Sequence, residues 1–316
     1  MKEKTKTFIQ KYGTIVTLML LIVIFSLTTD TFLEPRNLLN IVAHISMLMI
    51  IATGLTVCMV PGDFDMSIGS VASLSGIFFS SLVLRNIPLI PSILIVLLMG
   101  ALFGLTAGLL VTKIRISAFI ATLALGQVAT GINFMYTRGQ EVFGDFSRGF
   151  LSLGQSKTFG IIPNQVLIMI GIVLIFAFIM EKTKIGRYMY AIGGSSHASY
   201  LSGIKVNLYR IFGLMISGGL AAFTGCILAS RLGSGQPTAG DSYLMDAIAA
   251  TYIGMTTIKA SRPNIIGTLI GVLFIGIIEN GLVLIGVSYF FQYIAKGVII
   301  ILAVALSSRG SMVVEK

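Results

Sequence analysis

Charge is what this chain of 316 residues has least of: Asp, Glu, Lys and Arg together make up 11% of it, while 55% is hydrophobic. A soluble domain carries about 25% charged residues, so an ordinary soluble globule is excluded. Several apolar stretches approach or exceed about 18 residues, enough to cross roughly 30 Å of hydrocarbon. Cysteine is equally scarce. Cys58 and Cys226 both sit in apolar segments, which excludes a disulfide framework and gives no metal-site spacing. The two histidines, His44 and His197, are far apart with no ligand cluster beside them in sequence, which speaks against zinc or haem. No Gly-Lys dipeptide occurs, so there is no Walker-type phosphate loop, and neither H-E-x-x-H nor G-x-S-x-G is present. No cofactor is expected, and any ATP that drives this protein must be hydrolysed by another chain.

What the chain has instead is a series of apolar segments, placed at residues 13–30, 39–60, 66–84, 89–111, 117–136, 163–181, 211–230, 244–258, 264–286 and 290–307. The reading is an all-α integral membrane protein of about ten transmembrane helices, a single domain over 1–316. Lys2, Lys4, Lys6 and Lys11 precede the first segment, and no small-x-small cleavage site follows it. It therefore reads as a retained span behind a cytoplasmic tail, 1–12. Alternating from an inside N-terminus puts fifteen Lys and Arg inside, among them Lys113, Arg115, Lys259, Arg309 and Lys316. Six fall outside (Arg36, Arg85, Arg138, Arg148, Lys157 and Arg231), and Lys296 lies within a span. Cytoplasmic loops carry the excess of positive charge, so both termini are expected in the cytoplasm. The net charge of +10 is then a membrane topology signal, and no nucleic-acid partner is expected.

Small residues recur at four-residue spacing: Gly100, Gly104 and Gly108, then Ala221, Gly225 and Ala229. Such ridges let helices approach closely in lipid, as packing seams or as sliding surfaces during transport. Residues 138–163 form the longest predicted external loop, polar enough to cap the bundle or meet an external partner. Leu232-Gly233-Ser234-Gly235-Gln236 has the look of an ATPase signature, but without a phosphate loop it reads as an external turn.

Polar residues in or beside the spans are the candidates for a solute path. Pro61-Gly62 predicts a helix break, followed by Asp63, Asp65, Ser67 and Gly69. An acid beside such a break must face protein or water, so Asp65 caps the third span or lines the path, two roles that are compatible. Asp246, Glu279, Asn280, Gln292 and Lys296 also lie in or near spans. Glu279 and Lys296 are placed to pair between the last two, and proton coupling through Asp246 or Glu279 is an alternative use.

Residues 181–210 form a polar, basic loop with Lys182, Lys184, Arg187, Lys205 and Arg210 in or beside it. Positive charge assigns it to the cytoplasm, and it is long enough for one short helix. Ser195-Ser196 offer an N-cap and Gly203 a stop, which predicts a helix over 196–202: Ser196, His197, Ala198, Ser199, Tyr200, Leu201 and Ser202. A punctuated helix in the only long cytoplasmic loop points to docking of a partner; the alternative is an incidental surface helix.

The same loop carries a family resemblance. Gly186-Arg187-Tyr188-Met189-Tyr190-Ala191-Ile192-Gly193-Gly194, followed by Ala198-Ser199-Tyr200-Leu201-Ser202-Gly203-Ile204, resembles permeases of ribose-type ABC importers. Residues 62–76 are similar to the family's G-x-D-L-S-x-G-S segment, with Asp65 at its aspartate, Met66 in place of leucine and Asp63 as an additional acid. Residues 227–240 and 244–250 agree as well. The resemblance spans about residues 37–307. It implies a fold like the type II ABC importers and a second permease subunit, identical or paralogous. It implies a cytoplasmic ATPase with two cassettes and an extracytoplasmic sugar-binding protein. It also implies that 196–202 is the coupling helix, although Ser195-Ser196-His197 stand where acids are common.

The resulting expectation is a multi-pass permease of the bacterial plasma membrane that passes a small sugar or sugar-like solute. A secondary transporter driven by an ion gradient is the main rival, and a membrane enzyme, lacking any catalytic constellation, the third class.

Overall fold

The computed structural model describes residues 2–257 and 262–312; Lys259 and Lys316, counted above in the charge asymmetry, lie outside them. The described residues are mostly helical. In order come α1 (Lys2–Thr28), α2 (Pro35–Met59), α3 (Ile68–Leu84), α4 (Leu89–Leu109), α5 (Ala118–Thr137), α6 (Arg148–Gly154) and α7 (Asn164–Lys182). Then follow α8 (Lys184–Gly194), α9 (Ser196–Leu201), α10 (Val206–Leu232), α11 (Asp241–Met255), α12 (Ile265–Leu284) and α13 (Tyr289–Met312). Each apolar segment marked in the sequence overlies one helix. Among the described residues six helices are long and apolar enough to cross a membrane, and Gly13–Thr28 and Ile68–Leu84 are shorter apolar helices.

Three loop assignments need correcting. The 181–210 loop is mostly helix: α7 runs to Lys182, α8 fills Lys184–Gly194 and α10 begins at Val206, so Arg210 is helical. The amphipathic spacing of Ile185, Met189 and Ile192 lets α8 bury one face, with Met189 and Ile192 fully covered. The 1–12 tail continues into the first apolar helix as part of α1. The 138–163 segment holds α6 and a two-stranded hairpin, Lys157–Thr158 against Ile162–Pro163. It caps its end of the bundle, because the Ser230 hydroxyl donates to Phe150 O (2.5 Å) and accepts from Gly154 N (2.7 Å).

Helix α10 is the axle of the packing, held by α2, α3 and α4. Both small-residue ridges are seams. A methyl added at Gly100 or Gly104 would overlap the α10 backbone at Gly218 or Leu214, and at Gly108 it would lie 2.8 Å from the Ile211 Cα. Across α10, Gly225 meets the Ala72 carbonyl of α3 in the same way. With lipid outside, no hydrophobic gain drives helices together, so this backbone contact is what binds them. Residues 233–240 are not helical. Gly235 pairs with Val142 as an isolated bridge, and Gly240 lies on the Gly69 carbonyl of α3. The glycine-rich turn forecast at 232–236 is therefore a turn.

Candidate functional site

The break after α2 forms as its sequence dictates. Gly62 (φ +100°) takes the left-handed position, donating its N–H to Met59 O (3.1 Å) while Asp63 N–H reaches Cys58 O (3.2 Å), a Schellman stop. The chain then runs without helix to Ser67. Thr122 of α5 pins this stretch, donating to Phe64 O (3.1 Å) and accepting from Met66 N (2.9 Å). Asp63 and Asp65 are both buried. Asp65 accepts from Ser67 N (2.9 Å) and Ser67 Oγ (2.6 Å). It therefore holds both the backbone N–H and the hydroxyl of Ser67, the residue at the start of α3, whose own backbone is already helical (φ −85°, ψ −11°). The additional acid has its own counterion. Arg210 donates from Nε (3.2 and 3.0 Å) and from Nη2 (2.5 Å) to the Asp63 carboxylate, a forked charge-assisted contact.

Arg210 lies beside the helical pair α8–α9. At the base of α8, Gly186 rests on the Met180 backbone; at its far end Gly193 lies against the Val60 carbonyl, with no room for a methyl at either position. The Tyr188 ring packs edge-on against Tyr209 (5.6 Å between centroids). The Tyr190 hydroxyl donates to Pro263 O (3.0 Å), just ahead of α12. Burial, with the Glu181 charge nearby, pushes that hydroxyl up to about 12.

Helix α9 has the two ends forecast for it. The Ser195 hydroxyl accepts from Ala198 N (3.2 Å), and a second Schellman stop closes it: Gly203 N to Tyr200 O (2.9 Å) and Ile204 N to Ser199 O (3.0 Å), with Gly203 at φ +80°. Its last helical residue is Leu201, with Ser202 as C-cap. Ser199 faces inward, whereas Ser196, His197 and Ala198 are exposed. Tyr200 and Leu201 are exposed to 70% and 72%. Beside them opens a cleft of about 550 Å³ lined by Tyr188, Gly203, Lys205, Leu208 and Tyr209.

A second polar group lies inside the bundle. Lys296 of α13 bridges Asp246 of α11 (3.0 Å) and Glu279 of α12, and His44 of α2 meets Glu279 (3.1 Å). The pairing expected for Glu279 and Lys296 is there, widened to a chain across four helices. Asn280 does not join it. Its amide exchanges reciprocal hydrogen bonds with Asn37 (2.9 Å each). Gln292 turns back to Val287 O (2.9 Å) at the start of α13. The structure thus separates the proposed path residues into the α2 break, the four-helix charge chain, the Asn37–Asn280 contact between α2 and α12, and the local Gln292 contact. Sequence reading missed Arg210 as partner of Asp63, Thr122 as the clamp, and His44. For His44 a signal existed: Asn37 and His44 are two helical turns apart, facing neighbouring Asn280 and Glu279. Among the described residues no cluster of His, Cys, Asp and Glu has the grouping to hold a metal.

A family described as "Branched-chain amino acid transport system / permease component" matches residues 37–304. The ribose import permease protein RbsC of Bacillus subtilis (strain 168) is 38% identical over 303 residues, covering 96% of this chain and 94% of the relative. RbsC of Haemophilus influenzae is 39% identical over 312 residues, covering 96% of each. The galactose/methyl galactoside import permease protein MglC of Escherichia coli (strain K12) is 32% identical over 328 residues, covering 97% of this chain and 96% of the relative. No solved structure matches significantly. With the helical bundle and these matches, the chain belongs to the permease family of ribose-type ABC importers, as a non-catalytic, multi-pass protein of the bacterial inner membrane.

Proposed function

We propose that this chain is the membrane subunit of an ATP-driven importer for a small sugar or sugar-like solute, coupled to a separate cytoplasmic ATPase through α9. Supporting the cargo class, the similar proteins are named for import of ribose and of galactose or methyl galactoside. An extracytoplasmic sugar-binding protein delivers the solute, and a second permease subunit, a copy or a paralogue, completes the pathway. About ten helices span the bilayer in the manner of type II importers. Both termini and residues 183–205 lie in the cytoplasm, and residues 138–163 lie outside.

The single observation that carries the coupling role is the build of α9. It is capped at both ends, seated on α8, and presents Tyr200 and Leu201 outward. A two-turn helix is too short to be stable alone, so its rigidity comes from those fixed ends. Large exposed side chains at a rigid tip are suited to fill a pocket on a partner. Cassette closure then pushes α9, and α8 passes the displacement to α2, α10 and α12. Asp65, Ser67 and the Asp246–Lys296–Glu279–His44 chain are assigned to the moving pathway, with Asp63 assigned to the helix break beside it.

The test is uptake in proteoliposomes containing the permease, its ATPase and its binding protein, with tritiated ribose as the probe. The expected result is uptake that requires ATP and persists when ionophores collapse ion gradients. Accumulation driven by an ion gradient without ATP would overturn the reading in favour of secondary transport.

A further inference from the structure

We infer that Asp63 and Arg210 form a coupling strut: a positioning pair that binds the broken segment after α2 to the first turns of α10, so that both move as one body when α8–α9 is pushed. The inference rests on the coupling role proposed for α9. Three observations converge. Gly193, at the far end of α8, lies against the Val60 carbonyl with no space for a methyl, so displacement of α8 is transmitted to the end of α2 by direct backbone contact. Gly213 of α10 lies under the same place, where a Cβ would be 3.3 Å from both the Cys58 Cα and the Met189 Cε. Between these contacts Arg210 crosses to Asp63 with three donor–acceptor contacts of 2.5 to 3.2 Å.

The location of the pair explains why an ionic strut is used there. Residues 60–67 lack the internal ladder that makes a helix stiff, and their end nearest α8 is a turn. A segment without that ladder bends under load unless something outside holds it. Thr122 holds its far half, at Phe64 and Met66; Arg210 holds its near half. A forked guanidinium–carboxylate contact fixes orientation as well as distance, which a single hydrogen bond does not. Arg210 has 29% of its side chain exposed and Asp63 1%, so the arginine reaches in from the wet end to a carboxylate enclosed by protein. Without the pair, movement of α8 is spent on bending 60–63 and the pathway opens less often per ATP consumed.

The pair separates from mere docking by its readout. The proteins compared are the parent, Asp63→Asn, Arg210→Lys and the double variant Asp63→Asn/Arg210→Gln. Each is reconstituted with ATPase and binding protein and assayed for ATPase association, hydrolysis rate and tritiated ribose imported per ATP. The double variant has no unmatched charge, so it decides the matter if Asp63→Asn fails to insert. The expected result is ATPase association and hydrolysis within about twofold of the parent, with import per ATP down at least about tenfold in the double variant. Arg210→Lys, which keeps charge but loses the fork, should fall between. Import per ATP within twofold of the parent in the double variant overturns the strut, as does failure of that variant to insert, which would make the pair a folding element. An Ala198→Asp variant run alongside keeps the two readings apart. If it docks and transports normally, the α9 assignment falls; if it fails to dock while the double variant imports normally, only the strut falls.

Discussion

Gly193 of α8 lies directly on the carbonyl oxygen of Val60, the residue that ends α2. A glycine is needed because any side-chain carbon would overlap that oxygen, and the approach is what joins the surface module α8–α9 to the interior of the bundle. Gly193→Leu should therefore separate the two. The permease should still insert, since the change lies at one end of a surface helix, but import per ATP should fall about tenfold or more. Unchanged import in proteoliposomes would show that the contact transmits nothing.

The stop of α9 gives a second expectation. Gly203 has φ +80° and donates its N–H to Tyr200 O; proline has neither that φ nor an N–H. Gly203→Pro should unseat α9, lowering affinity for the ATPase by at least about tenfold in a pull-down from detergent. Gly194→Ala is the matched control, because a Cβ there meets nothing within 4 Å; it should bind like the parent.

The α4–α10 seam predicts a stability contrast. Gly104→Leu forces a side chain into the Leu214 backbone, and overpacking of this kind costs about 1–3 kcal/mol or more. Gly171 sits in α7 with open space beside it, so Gly171→Ala should be neutral or stabilise by up to about 1 kcal/mol through helix propensity. Thermal unfolding in detergent, followed by accessibility of the buried thiols Cys58 and Cys226, reads both.

The charge chain predicts non-additivity. Among the described residues, Lys296→Met leaves Asp246 and Glu279 with His44 as the only basic group contacting either, and loss of one partner from a buried pair costs about 3–5 kcal/mol. Adding Asp246→Asn and Glu279→Gln removes the stranded charges. The triple variant should recover most of the lost melting temperature, whereas additive losses would show that the groups do not act together.

What could be read in the sequence was local. The caps of α9 were legible because a serine N-cap and a glycine stop act within five residues of the helix they bound. The break at Pro61-Gly62 and the glycine seams were legible for the same reason: each is written in consecutive or fourth-residue spacing. Helix α8 was hidden by its own sequence, since Gly186, Gly193 and Gly194 read as loop while in fact two of them serve close backbone approach. The Asp63–Arg210 contact joins residues 147 apart in sequence, and the His44–Glu279 contact joins residues 235 apart. A buried acid demands a counterion, but nothing along the chain says which cation the topology will bring. The Asp65 contact was of the short-range kind: its carboxylate accepts from Ser67 N and Oγ, two residues on, at the start of α3.

The docking of α9 is open to one direct measurement. Cys58 and Cys226 are buried, and Ala198 is exposed on α9, so Ala198→Cys supplies an accessible thiol at the tip. It is compared with Arg138→Cys at the opposite end of the bundle, in membranes holding the assembled transporter and a short bismaleimide. The account predicts a permease–ATPase adduct from Ala198→Cys and none from Arg138→Cys. An adduct from Arg138→Cys, with none from the α9 position, would contradict it.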